Sequence, residues 1–223
     1  MIKVKIKKAL RGIVIKLFYL FAVFLTSFGC QHLSKPNNST FKSLSNAEKI
    51  ELKNVLINIY DQDQGYRAQA MLAFNQFGLR SEQVRKLAEK LNNIDSIHLI
   101  VVKSIIKKHG WLGSKVVGEK ANSALYLVIQ HSQKDDRAFF LPIMRKATQN
   151  NSAKKQDLAH LEDRVANDQG RKQLYGTQIG FDEKTKKYFL FPLENPDSVD
   201  VRRSKMGLIP IRAYLSQWQI VFP

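Results

Sequence analysis

The stretch "SEQVRKLAEKLNNIDSIHLIVVKSIIKKHG", residues 81–110, decides the fold class. Ser81 stands as a hydroxyl cap ahead of Val84, Leu87 and Leu91, which recur at the three-to-four-residue spacing of one helix face. Ile94, Ile97, Val101 and Ile105 continue the stripe, and Lys107 and Lys108 lead to Gly110, a helix stop. The pair Asn92–Asn93 could divide the run into two helices. A period near 3.6 held over this length does not suit a strand, whose side chains alternate.

The same punctuation extends in both directions. Upstream, "SNAEKIELKNVLINIYDQDQ" (45–64) places Ile50, Leu52, Val55, Leu56 and Ile59 at helical spacing behind a Ser45/Asn46 cap. Downstream, "SKVVGEKANSALYLVIQH" (114–131), "DDRAFFLPIMRKATQ" (135–149) and "SAKKQDLAHLEDRVANDQG" (152–170) read as three more helices. Pro142 should kink or interrupt the middle one. The pattern then changes to "QLYGTQIGF" (173–181) and "KKYFLFPL" (186–193), two β-rich runs around a short turn. Finally, "VDVRRSKMG" and "IRAYLSQW" read as short helices. The expectation is a mainly α, α+β domain over residues 46–223: a bundle of about five main helices, a small C-terminal β-hairpin and short terminal helices.

Ahead of that domain the chain has a different character. Six bases and no acid occur before residue 30, and they precede "LFYLFAVFLTSFG" (17–29). A basic segment followed by an apolar run of this length is the pattern of a signal peptide, here residues 1–29. Cys30, the only cysteine, follows at once, a position that resembles the lipobox of bacterial lipoproteins, where the cysteine is lipidated. A lone thiol cannot staple its own fold. Residues 30–45 are polar, rich in Ser and Asn, and suit a flexible tether. The expectation is therefore an envelope protein held to a membrane through a lipid on Cys30. Counting Gly12–Ile15 into the apolar run would give a transmembrane anchor instead, and cleavage after Gly29 would give a secreted protein.

The formal charge of +17 invites a nucleic-acid reading. Setting aside the six leading bases leaves 30 bases against 19 acids, and these are spread along helices without interleaved aromatics. No nucleic-acid partner is expected. GxSxG, Walker, HExxH and GxGxxG motifs are missing. His32, His98, His109, His131 and His160 lack paired ligand spacing, so neither a metal nor a resident cofactor is expected.

What remains is positional. His131 shares a helical stripe with Ala124, Leu127 and Val128 and should be half-buried, as a positioned general base or as a core histidine satisfied by the backbone. Asp163 and Arg164 flank the stripe of Leu158, Leu161 and Val165, where they could edge a cleft or simply meet solvent. On a strand, Tyr175 and Thr177 would share one face and Gly176 and Gln178 the other. Arg67, Arg202 and Arg203 could bind an anion bidentately, or pair with Asp61, Asp63 or Asp200.

Taken in order, "DQGYR" (63–67), "KKHGWLGSKVVG" (107–118), "VIQHS" (128–132), "LEDRV" (161–165), "KQLYGTQ" (172–178) and "VDVRRSKMGL" (199–208) resemble a bacterial domain of unknown function, number 6624, over about residues 46–215. Its pattern falls on Arg67, Gly110, Trp111, Gln130, His131, Asp163, Arg164, Tyr175, Gly176, Thr177, Gln178 and Arg203. Leu112 departs from it, standing where a Pro follows Gly-Trp. The resemblance brings no established activity. It implies that these polar residues belong to one shared feature, a cleft for a small anionic or polar ligand lined by Arg67, Gln130, Arg164, Tyr175, Thr177, Gln178 and Arg203. A hydrolase or transferase is the alternative, with His131 as general base and Asp163 as its orienter or acid. A structural or protein-interaction module is a third reading.

Overall fold

Ser45 opens the first helix with a capping box: its hydroxyl accepts from the Glu48 N–H at 3.2 Å, and the Glu48 carboxylate accepts from the Ser45 N–H at 2.8 Å. This computed structural model describes residues 44–222; the expected signal segment, Cys30 and the tether as far as residue 43 lie outside the described residues. Helix α1 (Asn46–Phe77) runs 32 residues, past the point where its sequence pattern fades. It turns at Gly78 into α2 (Glu82–His109), which Ser81 caps and Gly110 ends.

Asn92–Asn93 does not divide α2, which is continuous. Both side chains are exposed, where a weak helix former costs only a few tenths of a kcal/mol. The inward face also differs from the expected stripe: His98, Val102, Ile105 and Ile106 are buried, and Ile97 is exposed.

The expected third helix is two, α3 (Ser114–Val117) and α4 (Glu119–His131). Gly118 separates them at φ +86°, a conformation that L side chains rarely adopt. Its N–H closes α3 onto the Ser114 carbonyl at 2.8 Å, and its own carbonyl accepts from Asn122 to start α4. Helix α5 (Lys134–Gln149) runs unbroken through Pro142, whose ring is exposed. Helix α6 (Lys155–Asp168) follows.

Strands β1 (Ile179–Asp182) and β2 (Lys187–Leu190) pair antiparallel, Ile179 opposite Leu190 and Asp182 opposite Lys187. After a 3-10 turn at Pro196–Ser198 come α7 (Val199–Lys205) and α8 (Ile211–Ser216). Among the described residues the protein is thus mainly α, with α1, α2, α4, α5 and α6 as its long helices and one two-stranded sheet.

Helix α4 is the centre. Ala121, Ala124, Leu125, Val128 and Ile129 are buried on it, packed with Leu56 and Ile59 of α1, Val102 and Ile106 of α2, Phe140 and Met144 of α5 and Leu161 of α6. A helix apolar nearly all round belongs inside. A smaller core of Val199, Ile211 and Leu215 gathers the hairpin and the terminal helices. No helix among the described residues is long and apolar enough to cross a membrane.

Candidate functional site

Asp63 and Arg67 lie one turn apart on α1, so their side chains share a face. Arg67 Nε donates to Asp63 Oδ1 at 3.1 Å, and its Nη2 donates to both oxygens of Asp95 on α2 at 2.8 Å. Gln64 Nε2 holds the other Asp63 oxygen at 2.7 Å. Into this arrangement comes His131, the last residue of α4, with Nδ1 2.9 Å from Asp63 Oδ1. The Asp63 side chain is 1% exposed and that of His131 19%.

Burial pushes the Asp63 carboxyl up, but the His131 hydrogen bond and the charges of His131 and Arg67 outweigh it and hold the group at about 2. Asp63 is therefore a carboxylate at neutral pH, and a carboxylate only accepts. It follows that Nδ1 carries the hydrogen and that Nε2 of the neutral ring carries the lone pair. Nε2 makes no hydrogen bond among the described residues and is open to solvent.

His160, Arg164 and Asp168 recur every fourth residue along α6 and share another face. Arg137 of α5 grips Asp168 with two bonds, at 2.6 and 2.8 Å, and also donates to the Ser132 carbonyl, next to His131. Between these groups Arg164 makes no hydrogen bond or ion pair among the described residues. It is exposed, yet protein crowds it: desolvation first, then the charges of Arg137 and Arg67, push its pKa down against the pull of Asp168 and Tyr126. It is accessible and crowded at once, with the charges of Arg137, Asp168 and Arg67 in reach. Arg67 joins the two halves, since it holds Asp63 on one side and its charge reaches Arg164 on the other.

Charge is divided among these groups. Asp63 and Asp95 both spend themselves on Arg67, and Asp168 on Arg137. Arg164 has no such carboxylate. Two buried polar atoms tied to this place have no partner: Gln130 Oε1, beside His131 in sequence, and His98 Nδ1. His98 is pushed down by burial and pulled up by the charges of Asp63 and Asp95, so it stands behind the same pair.

The other expected residues gather elsewhere. Residues 173–178 are a loop and not a strand, and they wrap around Asp163. The Asp163 carboxylate, wholly buried, accepts from the N–H groups of Leu174 (2.6 Å), Tyr175 (3.0 Å) and Thr177 (2.9 Å) and from Thr177 Oγ1 (2.9 Å). Asp163 is thus not the partner of His131; Asp63 is. The Tyr175 hydroxyl donates to Glu162 at 3.0 Å. Gln178 Nε2 reaches Thr177 Oγ1 at 2.9 Å and the His160 carbonyl at 3.3 Å. Arg203, buried, spends its guanidinium on the carbonyls of Tyr175 and Ile209, both at 2.6 Å. These five side chains hold the chain to itself, because a buried polar group must find partners.

Of the expected set, Arg67 and His131 meet on Asp63, and the charge of Arg67 reaches Arg164; Gln130 is next in sequence to His131. The residues missed are Asp63 as orienter of His131, of which the spacing of "DQGYR" shows only the pairing with Arg67, and Arg137 with Asp168, which no local pattern announced. An open hollow of about 570 Å³ lies at the α1–α2 turn, lined by Phe77, Leu79, Arg80 and Glu183 among others, and holds none of the expected residues. No group of three or more His, Cys, Asp or Glu among the described residues could hold a metal.

No curated protein and no solved structure matches this chain. A family model does, that of the family of unknown function DUF6624, over residues 50–221, and the chain belongs to that family.

Proposed function

We propose that this chain is a membrane-tethered envelope domain whose recess between α1, α4 and α6 binds a small ligand through one anionic group. The observation that carries the reading is Arg164, a crowded, accessible guanidinium with no carboxylate of its own. A guanidinium fork matches carboxylate and phosphate oxygens in pairs. Its neighbours Arg67 and Arg137 are already held by carboxylates, so Arg164 is the guanidinium left for the ligand's anionic group. The tether rests on the basic segment, the apolar run and Cys30.

The reading is tested by calorimetric titration of the full-length chain in detergent with inorganic phosphate and with acetate. At least one of them should bind, and Arg164→Gln should weaken it roughly tenfold or more, the loss of a charge-assisted pair. His131→Ala should change that affinity little. Equal binding by wild type and Arg164→Gln would remove the basis of the proposal.

A further inference from the structure

We infer that His131 is a general base, positioned by Asp63, which activates water to hydrolyse a small ester carrying one negative charge. The inference rests on the anion-binding reading of the same recess.

Four features carry it. The Asp63 carboxylate fixes the hydrogen on Nδ1 and so leaves the lone pair on Nε2. Gln64 and Arg67 hold Asp63 from both sides, so the carboxylate, and with it the imidazole, keeps one orientation. Nε2 makes no hydrogen bond among the described residues and the side chain is 19% exposed, while Asp63 on the Nδ1 side is buried. Arg164, a guanidinium that no carboxylate pairs, has the charge of Arg67 in reach, and Arg67 in turn holds Asp63; a bound anion or a developing oxyanion would sit there.

The chemistry balances with water as the only co-reactant. Nε2 takes a proton from water as the water oxygen bonds to the carbonyl carbon or phosphorus. The bond to the leaving oxygen then breaks, its electron pair stays on that oxygen, and the proton on Nε2 passes to it. An acid and an alcohol are the products, and the imidazole ends neutral. No side chain contacts Nε2 among the described residues, so water and not a protein hydroxyl is the nucleophile.

Two measurements on the full-length chain in detergent decide the matter. The first is the tautomer of His131 by long-range proton–nitrogen correlation, expected as the Nδ1–H form. The second is turnover of bis(para-nitrophenyl) phosphate, mono(para-nitrophenyl) succinate and uncharged para-nitrophenyl acetate, which separates a phosphodiester from a carboxylated ester and both from an ester without charge. At least one anionic probe should be turned over faster than the acetate. His131→Ala should lower that rate roughly 100-fold, within the range of general-base catalysis. Asp63→Asn should lower kcat with KM nearly kept, because the ring loses the carboxylate that fixes its tautomer. The group bonded to that ring is Asp63 of α1, which Arg67 and Gln64 hold in turn. Should Asp63→Asn fail to fold, His131→Gln and the tautomer still decide. An Nε2–H tautomer, or no turnover that His131→Ala abolishes, overturns the inference. Phosphate or acetate binding without turnover would sink the base and leave the anion site; turnover without such binding would do the reverse.

Discussion

Asp163 accepts from three backbone N–H groups and one hydroxyl of residues 174–177, whereas Asp63 is held by a guanidinium, an amide and an imidazole. The first carboxylate spends its capacity on fixing a loop; the second passes its charge to a ring that meets solvent. Beside them His160 behaves differently again. Burial, then the charges of Arg203 and Arg164, push its pKa from 6.5 down to about 4. The unfolded chain binds that proton near 6.5, and the folded chain resists it until about 4. His160 therefore costs nothing above 6.5, and stability falls as pH drops through that window, by at most about 3 kcal/mol. Urea melts between pH 7 and 4 check this: His160→Gln should flatten the acid-side loss, and an unchanged slope would contradict it. At this scale the sequence was half legible. The position of His131 on a stripe could be read from spacing. Its partner could not, since Asp63 and His131 are 68 residues apart and only α1 packing on α4 brings them together.

Two glycines separate the elements that the sequence suggests from those that form. Gly118 cuts one expected helix into α3 and α4, and Gly176, at φ +70°, keeps "LYGTQ" from becoming a strand. A Cβ at 176 would lie 2.7 Å from Ile211 Cδ1, so the loop also sits close on α8. Gly176→Ala should therefore cost about 1–3 kcal/mol, from backbone strain and overpacking together. Thermal melts would show it, and an unshifted melting temperature would mean that the loop is not locked. Helix positions and caps were legible because they depend on local spacing: Ser45, Ser81 and Gly110 act where the sequence puts them. What was not legible is the sign of a glycine's φ. The alternation of Tyr175, Gly176, Thr177 and Gln178 reads as a strand, and only the enclosure of Asp163 by that loop requires otherwise.

For the whole molecule, the question is where it is held. The six bases, the apolar run and Cys30 lie outside the described residues, so the tether is a matter for labelling. Growth with labelled palmitate should mark the wild-type chain in membrane fractions, and Cys30→Ser should abolish the label; undiminished labelling would end the lipoprotein reading. The described part has a closure of its own. At the far end of α1 and α2, Phe74 meets Phe181 edge-on at 5.3 Å, and Arg80 pairs with Glu183 at 2.8 Å, joining the helical turn to the β-hairpin. The Arg80 and Glu183 side chains are 88% and 38% exposed, so the ion pair contributes at most about 1 kcal/mol, and the ring contact about as much again. The two residues are 103 positions apart in the chain. Bringing such distant points together costs about 3 kcal/mol more in chain entropy than closing a hairpin turn. These contacts alone cannot meet that cost. The helices around α4 must therefore supply the rest, and the expected order is that these contacts form after that core and part before it, which hydrogen exchange at the α1–α2 turn against α4 would check. Time thus has a direction in this structure: the helical turn and the hairpin meet last and separate first.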